Sequence, residues 1–412
     1  MSTAQEAVAA AFRQEWGRVL ATLIGFTRDW DLAEECVQDA FERALQRWPD
    51  EGIPRNPGAW LTTTARNRAL DRMRRSSVEV VKVREAATMA QPGDPEVDES
   101  AIADDRLRLI FTCCHPALAL EARVALTLRT VAGLTTEEIA RAFLTPSSTM
   151  GQRLFRAKRK IRDAGIPYRV PPAELLPERT SGVLGVLYLL FNEGYAASSG
   201  DGLLRPDLCA EAIRLGRILA ELMPGQDEVR GVLALMLLQD ARRAARTDEG
   251  GVLVTLEQQD RTLWDQDQIA EGAGFLAQAP HGPYQLQAAI AACHDSAAQA
   301  WDTDWPRIAS LYTQLATLTP TPFVALNHAV AVAMADGPAV GLPLVDAIDV
   351  SGALAGYHLL PATQADLLRR LGRRADAAAA YERAFALAPT EAERLFLRRR
   401  IVEMTGAAPP PI

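Results

Sequence analysis

Apolar side chains recur every three to four residues along most of the chain, and strictly alternating runs are nearly absent. This period is that of an amphipathic α-helix. Before residue 76 it predicts three helices, over residues 5–26, 31–47 and 57–75. A second helical block follows from residue 105 to about 165, and helices rich in Ala and Leu continue from residue 175 nearly to the C-terminus. The pattern predicts an all-α fold.

The periodicity lapses in one long internal stretch. Residues 76–104 are polar and acidic, and they include "QPGDPEVDES", so we expect a flexible linker there. "GIPYRVPP" then ends the second helical block. These breaks predict four segments: a first helical module over 1–75, a linker over 76–104, a second module over 105–168, and a helical C-terminal domain over 171–412.

Charge divides the chain in a way that periodicity does not. Its 412 residues carry a formal charge of −8. Residues 1–170 hold 25 of the 44 basic and 23 of the 52 acidic residues, which leaves 19 and 29 for the remainder. The two parts are therefore expected to face different partners. Five cysteines without regular spacing and apolar runs too short for a membrane span favour a cytoplasmic protein without a membrane partner.

Residues 135–163 show the pattern of a helix-turn-helix. Thr135 and Glu138 predict a capping box, and "LTPSS" ends the short helix that follows, with Thr145 as the predicted cap of a second helix from Pro146 to about Asp163. Its apolar side is expected to hold Met150, Leu154, Ala157 and Ile161. The opposite side and its flanks predict a surface for the DNA major groove, made of Ser148, Thr149, Gln152, Arg153, Arg156, Arg159 and Lys160. The alternative is an ordinary surface helix with many arginines.

A second basic surface is predicted on the helix over 57–75, which turns Leu61, Ala65, Ala69 and Met73 to one side. Cations beside an exposed aromatic ring are typical of single-stranded DNA binding, because charge follows the backbone and rings stack on bases. The candidate residues are Trp60, Arg66, Asn67, Arg68, Arg72, Arg74 and Arg75. The alternative places Trp60 in the core.

Three segments taken in order resemble a known family. They are "DLAEECVQDAFERAL", whose Asp31 and Glu34 predict a capping box, then "PRNPGAWLTTTARNRALDRMRR" and "LTTEEIARAFLTPSSTMGQRLFRAKRKI". Their order and spacing over residues 10–165 are similar to those of the extracytoplasmic-function sigma factors of the sigma-70 superfamily. The helix from Pro146 departs from the family's common Val-Lys-Ser-Arg run, since it opens "SSTMGQRL".

The resemblance implies partners and roles. Core RNA polymerase is expected to bind through its β′ clamp helices and β flap, with the clamp helices contacting Glu35, Gln38, Asp39 and Glu42. The helix over 60–75 would melt and hold the minus-ten promoter element, and the loop over 49–57 would pocket a flipped base. The helix over 146–162 would read the minus-thirty-five element.

The C-terminal domain resembles tetratricopeptide repeats. "LGRRADAAAAYERAFALAP" places Gly372, Ala377, Tyr381, Ala384 and Pro389 at the offsets of that repeat, which predicts an α-solenoid. Such a domain is expected to bind a peptide or protein ligand and to regulate the fused sigma module. The alternative is a purely structural domain.

No catalytic or metal chemistry is expected. Cys113, Cys114 and His115 are consecutive, so on a helix they point about 100° apart, whereas zinc needs converging ligands. No nucleotide-binding or hydrolase motif is present, so neither a cofactor nor an enzymatic activity is predicted. Two other functions stay open: a helix-turn-helix regulator with a repeat sensor that does not act as a sigma subunit, and a scaffold.

Overall fold

The structure is a computed structural model that describes residues 3–76, 99–143, 145–195, 206–248, 250–277 and 281–406. Most of the predicted linker and the tail after residue 406 lie outside these residues. The chain divides into two compact units, Met1–Leu187 and Tyr188–Ile412. Within the described ranges the fold is helical, and the one extended pairing is an isolated bridge between Thr247 and Leu253.

The first unit begins with a three-helix module. The helices are α1 (Thr3–Thr27), α2 (Trp30–Glu51) and α3 (Pro57–Ser76), and each packs against the other two. Their core contains an aromatic cluster in which the Phe12 ring lies 4.9 Å from Trp16 and 5.0 Å from Phe41. Leu61, Ala65 and Ala69 of α3 are fully buried, as the periodicity predicts.

The second module of this unit follows the predicted linker. It contains α4 (Glu99–Cys113), α5 (Leu120–Thr127), a π-helical turn (Leu128–Ala132), α6 (Thr136–Ala142) and α7 (Ser147–Asp163), and α8 (Leu176–Tyr195) comes next. Helix α4 starts within the segment predicted as linker. The residues "ESAIADD" at that point include good helix formers, and they continue into the buried stretch that contains Leu109 and Phe111.

The helix caps confirm one expectation and correct two. Thr135 and Glu138 form the predicted capping box, with Glu138 N donating to Thr135 Oγ1 at 3.1 Å and Thr135 N donating to Glu138 Oε2 at 2.7 Å. The box predicted for Asp31 is wrong, because Asp29 caps α2 and accepts from the backbone amides of Asp31 and Leu32. The cap predicted for Thr145 is also wrong, since its hydroxyl donates to Phe143 O at 2.9 Å.

Two further boundaries differ from the sequence-based expectation. Helix α2 continues through Pro49 to Glu51, so the loop predicted over 49–57 is confined to residues 52–56. Pro49 lies near the C-terminal end of α2, directly after the buried Trp48. Helix α7 begins at Ser147, one residue after the predicted start.

The second unit is a succession of helices, most of which pack on the next helix in the chain, although the helix over 227–240 packs chiefly on the helix over 283–295, across the short helix between them. They are α9 (Pro206–Leu222), α10 (Asp227–Asp240), α11 (Gln266–Gly274), α12 (Pro283–Asp295), α13 (Trp305–Leu318), α14 (Pro322–Asp336), α15 (Pro338–Ser351), α16 (Leu359–Arg370), α17 (Arg374–Leu387) and α18 (Glu391–Thr405). Ala377, Tyr381 and Ala384 are buried in one core, and Gly372 makes the turn between α16 and α17 with a φ of 76°. Among the helices of the described ranges, none is long and apolar enough to cross a bilayer.

Candidate nucleic-acid interface

Helix α7 has one buried and one exposed side, in the predicted register. Met150, Leu154, Ala157 and Ile161 are buried. The exposed side, here called the reader face, consists of Ser148, Thr149, Gln152, Arg156, Arg159 and Lys160, and Arg153 is half-buried beside it. Arg159 Nε lies 3.1 Å from Asp163 Oδ2, but both side chains remain more than half exposed. The reader face therefore presents forked donors and hydroxyls to solvent along one line.

Phe155 belongs to the reader face as well, and the sequence reading missed it. Its side chain is 62% exposed although the helix has an apolar side available. At 100° per residue it lies about 40° from Arg159 and about 60° from Gln152, at the edge of the reader face, which is the signal that could have identified it. An exposed phenyl ring among hydrogen-bonding side chains suits contact with a thymine methyl group in the major groove.

Lys158, which is part of the basic stretch in the sequence, points away from the reader face. Its Nζ lies 3.0 Å from Glu34 Oε2 and 3.2 Å from Asp31 Oδ1, both on α2. The Lys158 side chain is 17% exposed and that of Glu34 12%. This lysine therefore joins the two modules of the first unit.

The basic surface of α3 is partly engaged with the acidic surface of α2. Arg68 Nε donates to Asp39 Oδ2 at 2.7 Å, and Arg72 donates to Asp39 at 3.1 Å and also to Glu35. The hydrogen bond from Asp39 raises the pKa of Arg68, which keeps that guanidinium charged. Two predicted DNA-binding cations thus pair with two predicted polymerase-binding acids.

The other candidates on these two helices are oriented outward. Asn67, Arg66, Arg74 and Arg75 are exposed on α3, and the Arg66 guanidinium lies 5.0 Å from the centre of the Phe26 ring. Gln38 and Glu42 are exposed on α2. The structure therefore places the cations of α3 and the acids of α2 on neighbouring surfaces of one module.

The position of Trp60 combines features of the two alternatives, an exposed ring that stacks on bases and a residue of the core. It is half-buried, and its ring makes an edge contact with the buried Trp48 at 5.7 Å. One part of the indole is therefore anchored against the core while another part is accessible to solvent. This arrangement would hold the ring in place for stacking on an unpaired base.

The two modules of the first unit pack closely against each other. A Cβ atom added at Gly17 of α1 would lie 2.3 Å from the backbone oxygen of Val131 in the π-helical turn. The Tyr168 hydroxyl lies 2.8 Å from Ala21 O, and burial raises the pKa of this phenol. The Arg129 guanidinium lies 5.5 Å from the Trp16 ring. These contacts join α1 to the second module along its length.

The consecutive cysteines are part of this packing. Cys113 Sγ lies 3.1 Å from Thr130 Oγ1, and Cys114 Sγ lies 3.5 Å from Thr127 Oγ1. Burial raises the pKa of both thiols, that of Cys114 to about 11. Over the described ranges, no group of three or more His, Cys, Asp or Glu side chains is arranged to hold a metal ion.

Comparisons with known families match both modules. Residues 11–78 match sigma-70 region 2, and residues 108–161 match sigma-70 region 4. Residues 179–280 match a family of unknown function, DUF6596. The first two matches coincide with the three-helix module and with the module that carries the reader face.

Similar proteins include curated sigma factors and one full-length relative. An ECF RNA polymerase sigma factor SigK of Mycobacterium sp. (strain KMS) is 32% identical over 36% of this chain and 78% of its own length. A probable ECF RNA polymerase sigma factor SigI of Mycobacterium tuberculosis is 29% identical over 40% of this chain and 58% of its own length. An uncharacterized protein of Rhizobium meliloti (strain 1021) is 42% identical over 93% of this chain and 92% of its own length. No solved structure matches the chain.

Proposed function

The chain belongs to the extracytoplasmic-function sigma factors of RNA polymerase, and we propose that its two modules read two promoter elements through the reader face of α7 and the outer surface of α3. The observation that carries the proposal is the division of α7 into a buried apolar side and an exposed side with forked donors. A helix of this kind can enter the major groove while its module packs outside. The reader face then binds the upstream element.

The first module holds the downstream element and the polymerase. Arg66, Asn67, Arg74 and Arg75 follow the backbone of the melted strand, and Trp60 stacks on a base. Glu35, Gln38, Asp39 and Glu42 contact the β′ clamp helices. Because Asp39 also holds Arg68 and Arg72, polymerase binding at these acids would release the two arginines toward DNA.

Transcription from purified components tests the proposal as a whole. Core RNA polymerase with the full chain should give transcripts from a specific start site on a promoter selected from the organism's own DNA. A regulator that is not a sigma subunit would bind DNA without supplying that start site. Glu42→Lys should weaken association with core enzyme, whereas Glu51→Lys, on the opposite side of α2, should leave it unchanged.

The reader face has its own test. Arg156→Ala should weaken binding to the upstream element by about 1–3 kcal/mol if the guanidinium reads a base, with little effect on unrelated DNA. Lys160→Ala is the matched control, because a phosphate contact is lost on every sequence and lowers the salt dependence of binding. Equal losses for both variants on all DNA sequences would contradict base reading by Arg156.

Promoter binding also requires that the two modules separate. Elements centred ten and thirty-five base pairs upstream lie about 85 Å apart at roughly 3.4 Å per base pair. A compact unit of 187 residues has a radius of gyration of only about 16 Å. The packed arrangement of α1 against the π-helical turn therefore represents a closed state. Separation breaks the ion pairs of Lys158 with Asp31 and Glu34.

The C-terminal domain is proposed to regulate this step. Its sequence is strongly acidic, and from α12 to α18 each helix packs on the next, which supports a tetratricopeptide-like solenoid that binds a peptide or protein. A chain truncated after Val170 and the full chain should differ in polymerase binding and in transcription. Identical behaviour of the two would exclude the regulatory role and leave the sigma activity intact.

A further inference from the structure

The second unit contains a cavity of about 1040 Å³. Its walls come from the segment over 255–266, the turn over 294–305 and the helices α14, α16, α17 and α18. The volume is at the upper end of what small-molecule sites in proteins offer. All of its walls belong to residues 255–400, so ligand binding in this cavity does not depend on the sigma activity of the first unit.

The arginines of the cavity wall are already engaged. Arg370 is 2.5 Å from Glu257 and 2.7 Å from Asp366, and Arg369 is 2.5 Å from Asp366. Arg261 donates to the backbone oxygens of residues 294 and 297 at 2.6 and 2.7 Å. These cations are neutralised or hydrogen-bonded by the protein itself. An anionic ligand would have to displace those partners.

Asp295 is only partly engaged. Its side chain is 1% exposed and forms an ion pair with Arg242, whose Nε lies 3.6 Å from Asp295 Oδ1, too far for a hydrogen bond. Neither carboxylate oxygen accepts a hydrogen bond from any described residue, and the same holds for Gln259 Oε1 on the same wall. Buried polar atoms without partners are costly, and those of the cavity lining are three acceptor oxygens and one donor, Trp264 Nε1.

Burial raises the pKa of Asp295 to about 6, against the opposing effects of Arg242 and Arg261. Its carboxyl group is therefore mostly ionised at neutral pH. His294 beside it is neutral there, because burial lowers its pKa to about 3. Asp295 thus carries a negative charge in the cavity lining at neutral pH, which the nearby Arg242 offsets in part.

Aromatic rings complete the site. Trp301 lines the cavity and is 80% exposed, which is unusual for so large an apolar side chain. Trp305 also lines the cavity and is half-buried against the His294 ring at 5.1 Å. Indole faces attract cations and cover the apolar stems of amine-bearing molecules. A cavity lined by both an exposed indole and a buried carboxylate favours positively charged groups.

We propose that this cavity binds a ligand with a protonated amine or guanidinium group, which pairs with Asp295, donates to Gln259 Oε1 and lies under Trp301. The chemistry is that of a small guanidine or polyamine, or of an arginine or lysine side chain presented by a peptide. Either ligand supplies N–H donors where the wall has acceptors, together with a positive charge opposite the carboxylate. The cavity is thereby assigned as a cation-binding site of the C-terminal domain.

Isothermal titration calorimetry on the full chain tests the assignment. The probes are agmatine, spermidine and a capped pentapeptide with a central arginine, with its citrulline analogue, tetramethylammonium and glutarate as controls. We expect a probe with charged N–H donors to bind, and the controls to bind at least tenfold more weakly. Agmatine or spermidine binding without peptide binding identifies a small molecule, and the reverse identifies a peptide. Preference for glutarate, or failure of all three charged N–H probes to bind at millimolar concentration, overturns the proposal.

Substitutions locate the binding. Asp295→Asn keeps the shape of the side chain and should lower affinity at least tenfold, and Trp301→Ala should lower it severalfold. Trp301 is largely exposed, so its removal leaves the core intact even if Asp295→Asn does not fold. Asp376→Asn is the control, because Asp376 is an exposed acid outside the cavity. If Asp295→Asn folds, unchanged affinity in both variants would place the ligand elsewhere. If Asp295→Asn does not fold, unchanged affinity in Trp301→Ala is sufficient to place it elsewhere.

Discussion

Replacing Gly17 by alanine is expected to shift the first unit from its closed state toward separated modules. The added Cβ would lie 2.3 Å from Val131 O and 3.1 Å from its carbonyl carbon, both backbone atoms that cannot move aside as a flexible side chain can. Overpacking of this kind costs about 1–3 kcal/mol. The gain in helix propensity from glycine to alanine, up to about 1 kcal/mol, acts on α1 in both states and cancels. The ratio of closed to separated molecules should therefore fall about 5- to 150-fold.

Distance measurements between two spin labels can follow this equilibrium in the full chain. All five native cysteines are buried, so labels attach selectively at the exposed positions of Arg47→Cys on α2 and Arg162→Cys on α7. Gly17→Ala should increase the share of long distances and strengthen binding to the two-element promoter. Gly182→Ala is the control, because a Cβ there meets no atom within 4 Å.

Two outcomes would refute the reasoning. An unchanged distance distribution in a folded Gly17→Ala protein would show that the approach of α1 to Val131 does not hold the modules together. A shift to long distances without a gain in promoter affinity would show that closure does not limit promoter binding. In both cases the assignment of the reader face would stand, because Arg156→Ala tests it separately.

Three further predictions concern single side chains. Phe155→Ala should weaken binding to a thymine-containing upstream element severalfold. Replacing the contacted thymine by deoxyuridine, which lacks the methyl group, should weaken binding of the unsubstituted protein by the same factor and leave binding of Phe155→Ala unchanged. Equal sensitivity of both proteins to deoxyuridine would contradict the methyl contact. Burial raises the pKa of Asp295 from 3.8 to about 6 in the folded protein, so protonation of this carboxyl group favours the folded state, and the free energy of unfolding should fall by about 3 kcal/mol as pH rises from below 4 through 6. Urea unfolding of the unsubstituted protein and of Asp295→Asn should differ by an amount that changes with pH in this way. A difference that does not depend on pH would refute the prediction. Cys114, with a pKa raised from 9.0 to about 11, should react with iodoacetamide at pH 8 about a hundredfold more slowly than an exposed thiol, as mass spectrometry of native protein would show; rapid alkylation would contradict the burial of this thiol.

The separation of apolar and polar sides on α7 could be read from the sequence because it depends only on helical period. Met150, Leu154, Ala157 and Ile161 are buried as predicted, since residues at these spacings share a side of any regular helix. The capping box of Thr135 and Glu138 is equally local, because it involves atoms three residues apart. Both of these confirmed predictions require only residues that are close in the chain.

Helix caps that depend on the exact path of the backbone were harder to predict from the sequence. Asp29 and Asp31 both have the side chain of an N-cap, and sequence alone does not show which backbone conformation each adopts. In the structure Asp29 has the extended conformation of a cap, with a φ of −127° and a ψ of 116°, and Asp31 lies within the helix. The identity of the cap follows from the turn that joins α1 to α2.

Charge pairing could not be predicted at all from composition. Lys158 is one of seven basic residues between positions 141 and 162, and the helical period separates it from the reader face but does not identify its partners. The structure directs it to Asp31 and Glu34, which are more than 120 residues away in the chain. Arg68 and Arg72 are likewise paired with acids on another helix.

Helical period and motif order are properties of the linear chain, so the helical class, the two sigma-like modules and the register of the reader face could all be inferred from the residues alone. The closed packing of the modules, the ion pairs of Lys158 and Arg68, and the presence of Asp295 and Trp301 in one cavity became visible only in the folded protein. These features depend on distances between residues far apart in the chain, and such distances are set only when the helices pack.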